Sequence, residues 1–321
     1  ERFALAPGER MLQAASLSFD ASVMELVDAL GSGAALVIPP AEMLAGDALV
    51  DAINRGGATH ALIPPATLAS IRPDQVPGLR TLIVGGEACS ADLVRSFAPG
   101  RTMINAYGPT EATVCATMSA PLDAGSGTVP SIGTALGASR VYLLDSRLRL
   151  VPDGAIGELH IGGPGVARGY LGRAGLTASR FIADPYAERI GAIMYRTGDL
   201  ARRRRDGSIE YLGRNDQQVK IRGFRIELGE VEHAVAALSG VSSSRVIVRE
   251  DAPGDRRLIA YVIGDRLDPA LLRDELRGGL PGHLVPSAFV VVDEFPLTAN
   301  GKLDVGSLPA PTPDGNGFAA G

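Results

Sequence analysis

The stretch TLIVGGEACSADLVRSFAPGRTMINAYGPTE, residues 81–111, decides the fold. Thr81–Val84 is a short apolar run, Ala91–Phe97 has helical spacing, and Met103–Asn105 is a second apolar run. Two apolar runs joined through a helix form a crossover unit, and such units build a parallel sheet covered on both faces. The alternation continues upstream, with strand patterns at Leu12–Leu17, Ala35–Ile38 and Ala61–Ile63 and helical patterns at Ser22–Leu30 and Ala48–Asn54. Ser22-x-x-Glu25 reads as a capping box, and Val23, Leu26, Val27 and Leu30 share one face, the stripe an amphipathic helix buries. Residues 1–128 are therefore expected to form an α/β subdomain.

From Val129 to Gly213 the texture changes to short runs between Gly, Pro and Asp turns: Val141–Leu144, Gly157–Ile161, Ala201–Arg204 and Ile209–Leu212. This pattern predicts a small β-barrel or antiparallel sheet over residues 129–213, completing a large core of residues 1–213. Beyond Arg214-Asn-Asp216, strand patterns at Val219–Ile226, Ser244–Arg249, Leu258–Val262 and Phe289–Val292 alternate with helical ones at Glu230–Leu238 and Pro269–Arg277. Residues 214–308 read as a small α+β domain, and the Pro- and Gly-rich residues 309–321 as a linker.

A chain of 321 residues has room for two folded units, and 45% hydrophobic with 21% charged residues is the composition of a soluble globular protein. A net charge of -5 argues against a nucleic-acid partner. The basic run Arg202–Arg205 leads into Asp206-Gly207, a hairpin signal, and reads as a solvated strand end. Cys89 and Cys115 form no C-x-x-C, so neither a disulfide framework nor a zinc site is indicated. No apolar stretch approaches the roughly 20 residues of a membrane helix, and a reducing cytoplasm is the expected compartment. Because the chain opens at Glu1 inside a strand approach, it is expected to be cut from something longer.

Asn105-Ala-Tyr-Gly-Pro-Thr-Glu111 places an aromatic ring, an exposed-backbone turn, a hydroxyl and a carboxylate at a strand's C-terminal end, where open α/β sheets bind ligands. On spacing alone an ordinary Gly-Pro turn capped by Thr110 is an equal reading. Thr197-Gly-Asp199 has the same ambiguity, and Lys302 after Asn300-Gly301 is by itself a turn residue. Gly162-Gly-Pro-Gly165 lacks the Lys-Ser/Thr of a phosphate loop and reads as structural.

The order of six segments supplies the missing context. Phe19-Asp-Ala-Ser22, Asn105–Glu111, Gly157–Tyr170, Tyr195-Arg-Thr-Gly-Asp-Leu200, Gly213–Glu227 and Pro296–Asp304 resemble, in sequence and succession, the core motifs of nonribosomal peptide synthetase adenylation domains. The resemblance implies that an amino acid and ATP give an aminoacyl adenylate and pyrophosphate. The acyl group then passes to the phosphopantetheine thiol of a peptidyl carrier protein, with a condensation domain as neighbour. It assigns Glu111 to Mg²⁺, Thr110 to a phosphate oxygen, Tyr107 to adenine packing, and Asn105 and the Gly86 backbone to the adenine edge. Asp199 would accept the ribose hydroxyls, with Arg214 beside the nucleotide, and Lys302 would be the catalytic cation, carried by a small domain that pivots at Asp216. Asp20 would pair the substrate's ammonium. The pocket walls would be Ala21, Met24, Leu62, Ile83, Gly85, Ala106, Val114 and Cys115, none of them charged, which suits a bulky apolar or aromatic side chain.

The family's glycine-rich phosphate loop would lie before residue 1, so the isolated chain is expected to adenylate weakly or not at all. A non-catalytic remnant or docking module and an acyl- or aryl-acid ligase of the same superfamily are the alternatives. The first is distinguished by whether an upstream reading frame encodes that loop, the second by the role of Asp20.

Overall fold

The computed structural model describes residues 3–40, 45–215, 218–221, 224–251, 256–296, 303–311 and 316–318. The chain divides into two compact units, Glu1–Asp216 and Gln217–Gly321.

The first unit begins with β1 (Arg10–Leu12), α1 (Asp20–Gly31), β2 (Ala35–Val37), α2 (Gly46–Gly56), β3 (His60–Ile63), α3 (Pro65–Leu68), β4 (Thr81–Gly85), α4 (Ala91–Phe97) and β5 (Thr102–Tyr107). Its strands form one sheet in the order β2-β1-β3-β4-β5, all parallel, extended at one edge by the antiparallel β6 (Thr117–Met118) and β7 (Thr134–Ala135). Because side chains alternate along a strand, each central strand serves two cores. Ala61, Ile63, Leu82 and Val84 face Leu49, Ile53, Leu68, Val94 and Phe97 of α2, α3 and α4. Leu62, Ile83 and Ala106 face the opposite way, against Ala29, Ala21 and Met24 of α1.

β8 (Arg140–Leu144), β9 (Ile156–Gly162), α5 (Ala174–Arg180), β10 (Phe181–Ala183), β11 (Ile193–Arg203) and β12 (Ile209–Arg214) complete the unit. These strands form an antiparallel sheet, β10-β11-β9-β8 with β12 on β11. The turn between β11 and β12 holds Gly207 at φ +82, as an Asp-Gly hairpin requires. Arg202 and Arg204 both bond Glu210 across it, so the basic run is neutralised locally.

The second unit contains the hairpin β13 (Gln218–Ile221) and β14 (Phe224–Glu227), then α6 (Leu228–Ala236), β15 (Val241–Glu250), β16 (Arg256–Gly264), α7 (Pro269–Arg277), β17 (Ala288–Val291) and β18 (Asn316–Phe318). Its sheet runs β15-β16-β17-β18, and Val231, Val235, Leu272 and Leu276 of the two helices pack with Leu258, Ala260, Val262 and Phe289. Asp268 caps α7 by accepting from the N–H of Ala270, with Pro269 at the first helical position.

Several sequence expectations require correction. Val219–Ile226 is not one strand: pairing runs from Gln218↔Glu227 to Ile221↔Phe224, so the stretch is an antiparallel hairpin. Asn316–Phe318, inside the stretch read as linker, pair parallel with β17, whose edge would otherwise leave backbone groups unbonded. The strand read at Leu12–Leu17 stops at Leu12, because the N–H groups of Ala14 and Ala15 go to the carboxylate of Glu25 instead of a ladder, at 3.1 and 3.2 Å.

The same contact overturns the capping box. α1 starts at Asp20 after Phe19, Ser22 donates its hydroxyl to the Phe19 carbonyl, and Glu25 leaves the helix end altogether. Its tether turns Ser22, Glu25 and Ala29 inward, while Val23, Leu26, Val27 and Leu30, read as the packed stripe, face outward. Burial pushes the Glu25 carboxyl up to about 7, even though both backbone N–H bonds favour its charged form.

Candidate functional site

Of the pocket residues read from the sequence, Ala21, Met24, Leu62, Ile83, Ala106 and Cys115 share one apolar cluster on the α1 face of the sheet. Leu62 and Ile83 are register partners on β3 and β4, and Gly85 and Ala106 are partners at the C-terminal ends of β4 and β5. A Cβ on Gly85 would stand 2.8 Å from the Ala106 carbonyl oxygen, so only glycine allows these strand ends to approach as they do. Ala21 and Met24 close one side from α1, and the Met24 and Cys115 sulfurs are 3.8 Å apart. Burial, helped by the nearby Asp20 and Asp28 carboxylates, pushes the Cys115 thiol up to about 12. Asp20 sits at the first position of α1, and its Oδ2 is buried with no hydrogen-bond partner among the described residues.

The loop after β5 folds back tightly on itself. A Cβ on Gly108 would lie 2.3 Å from the Val114 carbonyl oxygen, and Thr113 and Val114 both have positive φ, +60 and +63. For a β-branched residue this conformation costs about 1–3 kcal/mol and persists only where surrounding bonds over-determine it. Those bonds are present: Thr113 donates its hydroxyl to the Gly165 carbonyl at 2.6 Å, and the Ala116 N–H reaches the Tyr107 carbonyl at 2.9 Å. The glycine-rich Gly162–Gly165 segment is thus a clamp on this loop. Thr110 opens a short 3-10 turn as an exposed residue rather than capping it.

On the other side of β5, the consecutive residue Tyr107 points away from the α1 pocket and donates its hydroxyl to Asp199 Oδ2. Arg214 donates to Asp199 Oδ1 at 2.7 Å and to the Thr197 carbonyl at 2.9 Å. Asp199 and Arg214 are directly opposed in the β11–β12 register, so the pair is set by the sheet. Burial first, then the Asp199 charge and hydrogen bond, pushes the Tyr107 phenol well above its ordinary range.

Sequence reasoning gave no role to two tyrosines that hold Glu111. Tyr170 and Tyr195 both donate to Glu111 Oε1, at 2.5 and 2.9 Å, and Tyr195 is fully buried. Each sat at the edge of a quoted motif, and a buried phenol's need for a partner was the available signal. Asn105 is engaged through its amide, which donates to the Ser131 carbonyl at 3.0 Å. Gly86 follows β4 at φ +83 with open space over its Cα. Lys302 and Asp216 lie outside the described residues.

Among the described residues no group of three His, Cys, Asp or Glu could hold a metal ion. Glu111 therefore fits Mg²⁺ only in the manner typical of that ion, one carboxylate acting together with substrate phosphates. No helix of the described residues is long and apolar enough to cross a membrane.

Comparison with known proteins agrees with this architecture. The model of the AMP-binding enzyme family matches residues 1–171, and that of the AMP-binding enzyme C-terminal domain matches residues 230–302. The isonitrile lipopeptide synthase of Mycobacterium tuberculosis is 52% identical over 314 residues, covering 96% of this chain and 12% of the synthase. Holo-PA1221, a nonribosomal peptide synthetase protein with adenylation and carrier (PCP) domains, superposes with a TM-score of 0.86 at 32% identity, over 96% of this chain and 54% of its own. The Vibrio cholerae adenylation domain AlmE, solved with glycyl-adenosine-5'-phosphate, gives 0.82 at 27% identity, over 94% and 58%. The chain thus spans little more than half the length of these structures and a small part of the synthase. With its parallel α/β core, antiparallel subdomain and separate small α+β unit, the chain belongs to the AMP-binding enzyme family, as an adenylation domain of the nonribosomal peptide synthetase kind.

Proposed function

We propose that the full-length protein activates an α-amino acid by adenylation and passes it to a carrier-bound phosphopantetheine thiol, with a condensation domain alongside. The observation that carries the amino-acid assignment is Asp20: a buried carboxylate oxygen lacks a partner among the described residues, at the start of the helix that packs with the apolar Leu62, Ile83 and Ala106. A buried anion of this kind is costly until it is paired, and a substrate ammonium pairs it.

In the reaction a substrate carboxylate oxygen attacks the α-phosphorus of ATP, the bond to the β-phosphate bridging oxygen breaks, and pyrophosphate leaves with that electron pair. Mg²⁺ bound with ATP would neutralise phosphate charge near Glu111, which Tyr170 and Tyr195 hold in place. Thr110, exposed on the adjoining turn, is available to donate to a phosphate oxygen. Tyr107 and Arg214 orient Asp199, whose oxygens each keep further acceptor capacity for ribose hydroxyls. Lys302 and the pivot Asp216 enter through their sequence motifs alone.

The pocket suits a bulky apolar or aromatic side chain. Amino-acid-dependent ATP–pyrophosphate exchange by the full-length protein, across proteinogenic and aryl-acid substrates, tests the reading. Exchange is expected with aromatic or large aliphatic α-amino acids. Exchange driven only by acids lacking the amine would favour the aryl-acid ligase, and exchange with none would favour the remnant.

A further inference from the structure

α1 carries three faces. At 100° per residue, Ser22, Glu25 and Ala29 occupy the inward face, and Val23, Leu26, Val27 and Leu30 the outward one. The third face is Asp20, Met24 and Asp28, each four residues apart, and it is the pocket face, because Met24 contacts Cys115 there. The Oδ2 of Asp28 is buried and has no hydrogen-bond partner among the described residues, the same condition as Asp20. Both carboxylates are close enough to Cys115 to raise its thiol pKa. Burial also pushes the Asp28 carboxyl upward.

Resting on the amino-acid reading above, we infer that Asp28 is a specificity residue: it takes a hydrogen bond from a donor at the far end of an aromatic substrate side chain, an indole N–H or a phenol O–H. Eight residues of helix rise about 12 Å, and two hydrogen bonds of about 3 Å leave about 6 Å between the donors. That is the scale of an aromatic amino acid held by its ammonium at Asp20 and its ring donor at Asp28. The walls between are Met24, Leu62, Ile83, Ala106 and Cys115, which suit an apolar ring and offer nothing else to a polar tip. A site with a buried acceptor rejects the analogue that lacks the donor, since that acceptor is then left unpaired.

The test is ATP–pyrophosphate exchange by the full-length protein, wild type against Asp28→Asn and Asp28→Leu, with tryptophan, tyrosine, phenylalanine and lysine. The wild type is expected to prefer tryptophan or tyrosine over phenylalanine by more than about tenfold in kcat/KM. Asp28→Leu is expected to erase or invert that preference by raising KM for the donor-bearing substrate, while KM for ATP stays constant. Asp28→Asn, which keeps an acceptor, should retain part of it. Thermal unfolding shows whether the variants fold, and removing a desolvated carboxylate should not lower Tm. An unchanged substrate order in Asp28→Leu, or a wild-type preference for lysine, overturns this inference and leaves amino-acid adenylation standing. No exchange with any amino acid overturns both.

Discussion

Tyr107 and Asp199, 92 positions apart, share a buried hydrogen bond that ties the end of the parallel sheet to the antiparallel one. Arg214 takes the other Asp199 oxygen from the facing strand. Arg214→Ala leaves a buried carboxylate without its cation and should cost about 3–5 kcal/mol, whereas Tyr107→Phe removes one donor and should cost about 1–3 kcal/mol. Urea unfolding with unchanged m-values checks both. A loss below about 0.5 kcal/mol for Arg214→Ala, the range of ordinary surface substitutions, would show that the pair is not closed in solution.

Glu25 links stability to pH. Its folded pKa of about 7 stands above the ordinary 4.5, so between those values the native state holds a proton that the unfolded state has released. Stability therefore falls as pH rises through this window, by up to about 3 kcal/mol, and the loss is complete above pH 7. Glu25→Gln should flatten this segment of the pH profile, measured by denaturant midpoints from pH 4.5 to 8. A wild-type profile that is flat or rising there would contradict the burial of the Glu25 carboxyl, the one cause that raises its pKa.

Both thiols are pushed up to about 12 by burial, Cys115 with help from Asp20 and Asp28. Since the thiolate is the reactive form, iodoacetamide at pH 8 should label neither Cys89 nor Cys115 in the native chain and both in urea. Mass spectrometry reads the result directly. Rapid native labelling of Cys115 would mean that the pocket wall is open to solvent.

Tyr170→Phe and Tyr195→Phe each remove a donor from Glu111. If Glu111 serves the magnesium–nucleotide complex, either change should raise KM for MgATP several-fold and leave KM for the amino acid unchanged. A rise in the amino-acid KM alone would relocate Glu111 to the other substrate.

How much of this was legible in the sequence depends on what fixed each element. Ala91–Phe97 and Pro269–Arg277 were readable to the residue, because Ser90 and Asp268 cap them locally. The central strands were readable because strands buried on both faces are continuous apolar runs. α1 was misread for a tertiary reason: Ser22-x-x-Glu25 and the apolar stripe are true local patterns, but Glu25 is claimed by the Ala14 and Ala15 backbone, and that contact rotates the helix. The pocket residues came from motif order, and alternation along β3, β4 and β5 places Leu62, Ile83, Gly85 and Ala106 together. Tyr170, Tyr195 and Asp28 were not found, because the tyrosines' shared partner Glu111 lies far off in sequence and Asp28 has no hydrogen-bond partner for its Oδ2 among the described residues.

The most direct test of the whole account compares an aromatic α-amino acid with its des-amino analogue in ATP–pyrophosphate exchange by the full-length protein, wild type and Asp20→Ala. Wild type is expected to favour the amino acid strongly, and Asp20→Ala to raise its KM by about 100-fold or more, the cost of an unpaired ammonium, while exchange with the analogue changes little. Equal use of both substrates by wild type, or an Asp20→Ala protein that still selects the amine, would contradict the Asp20 assignment.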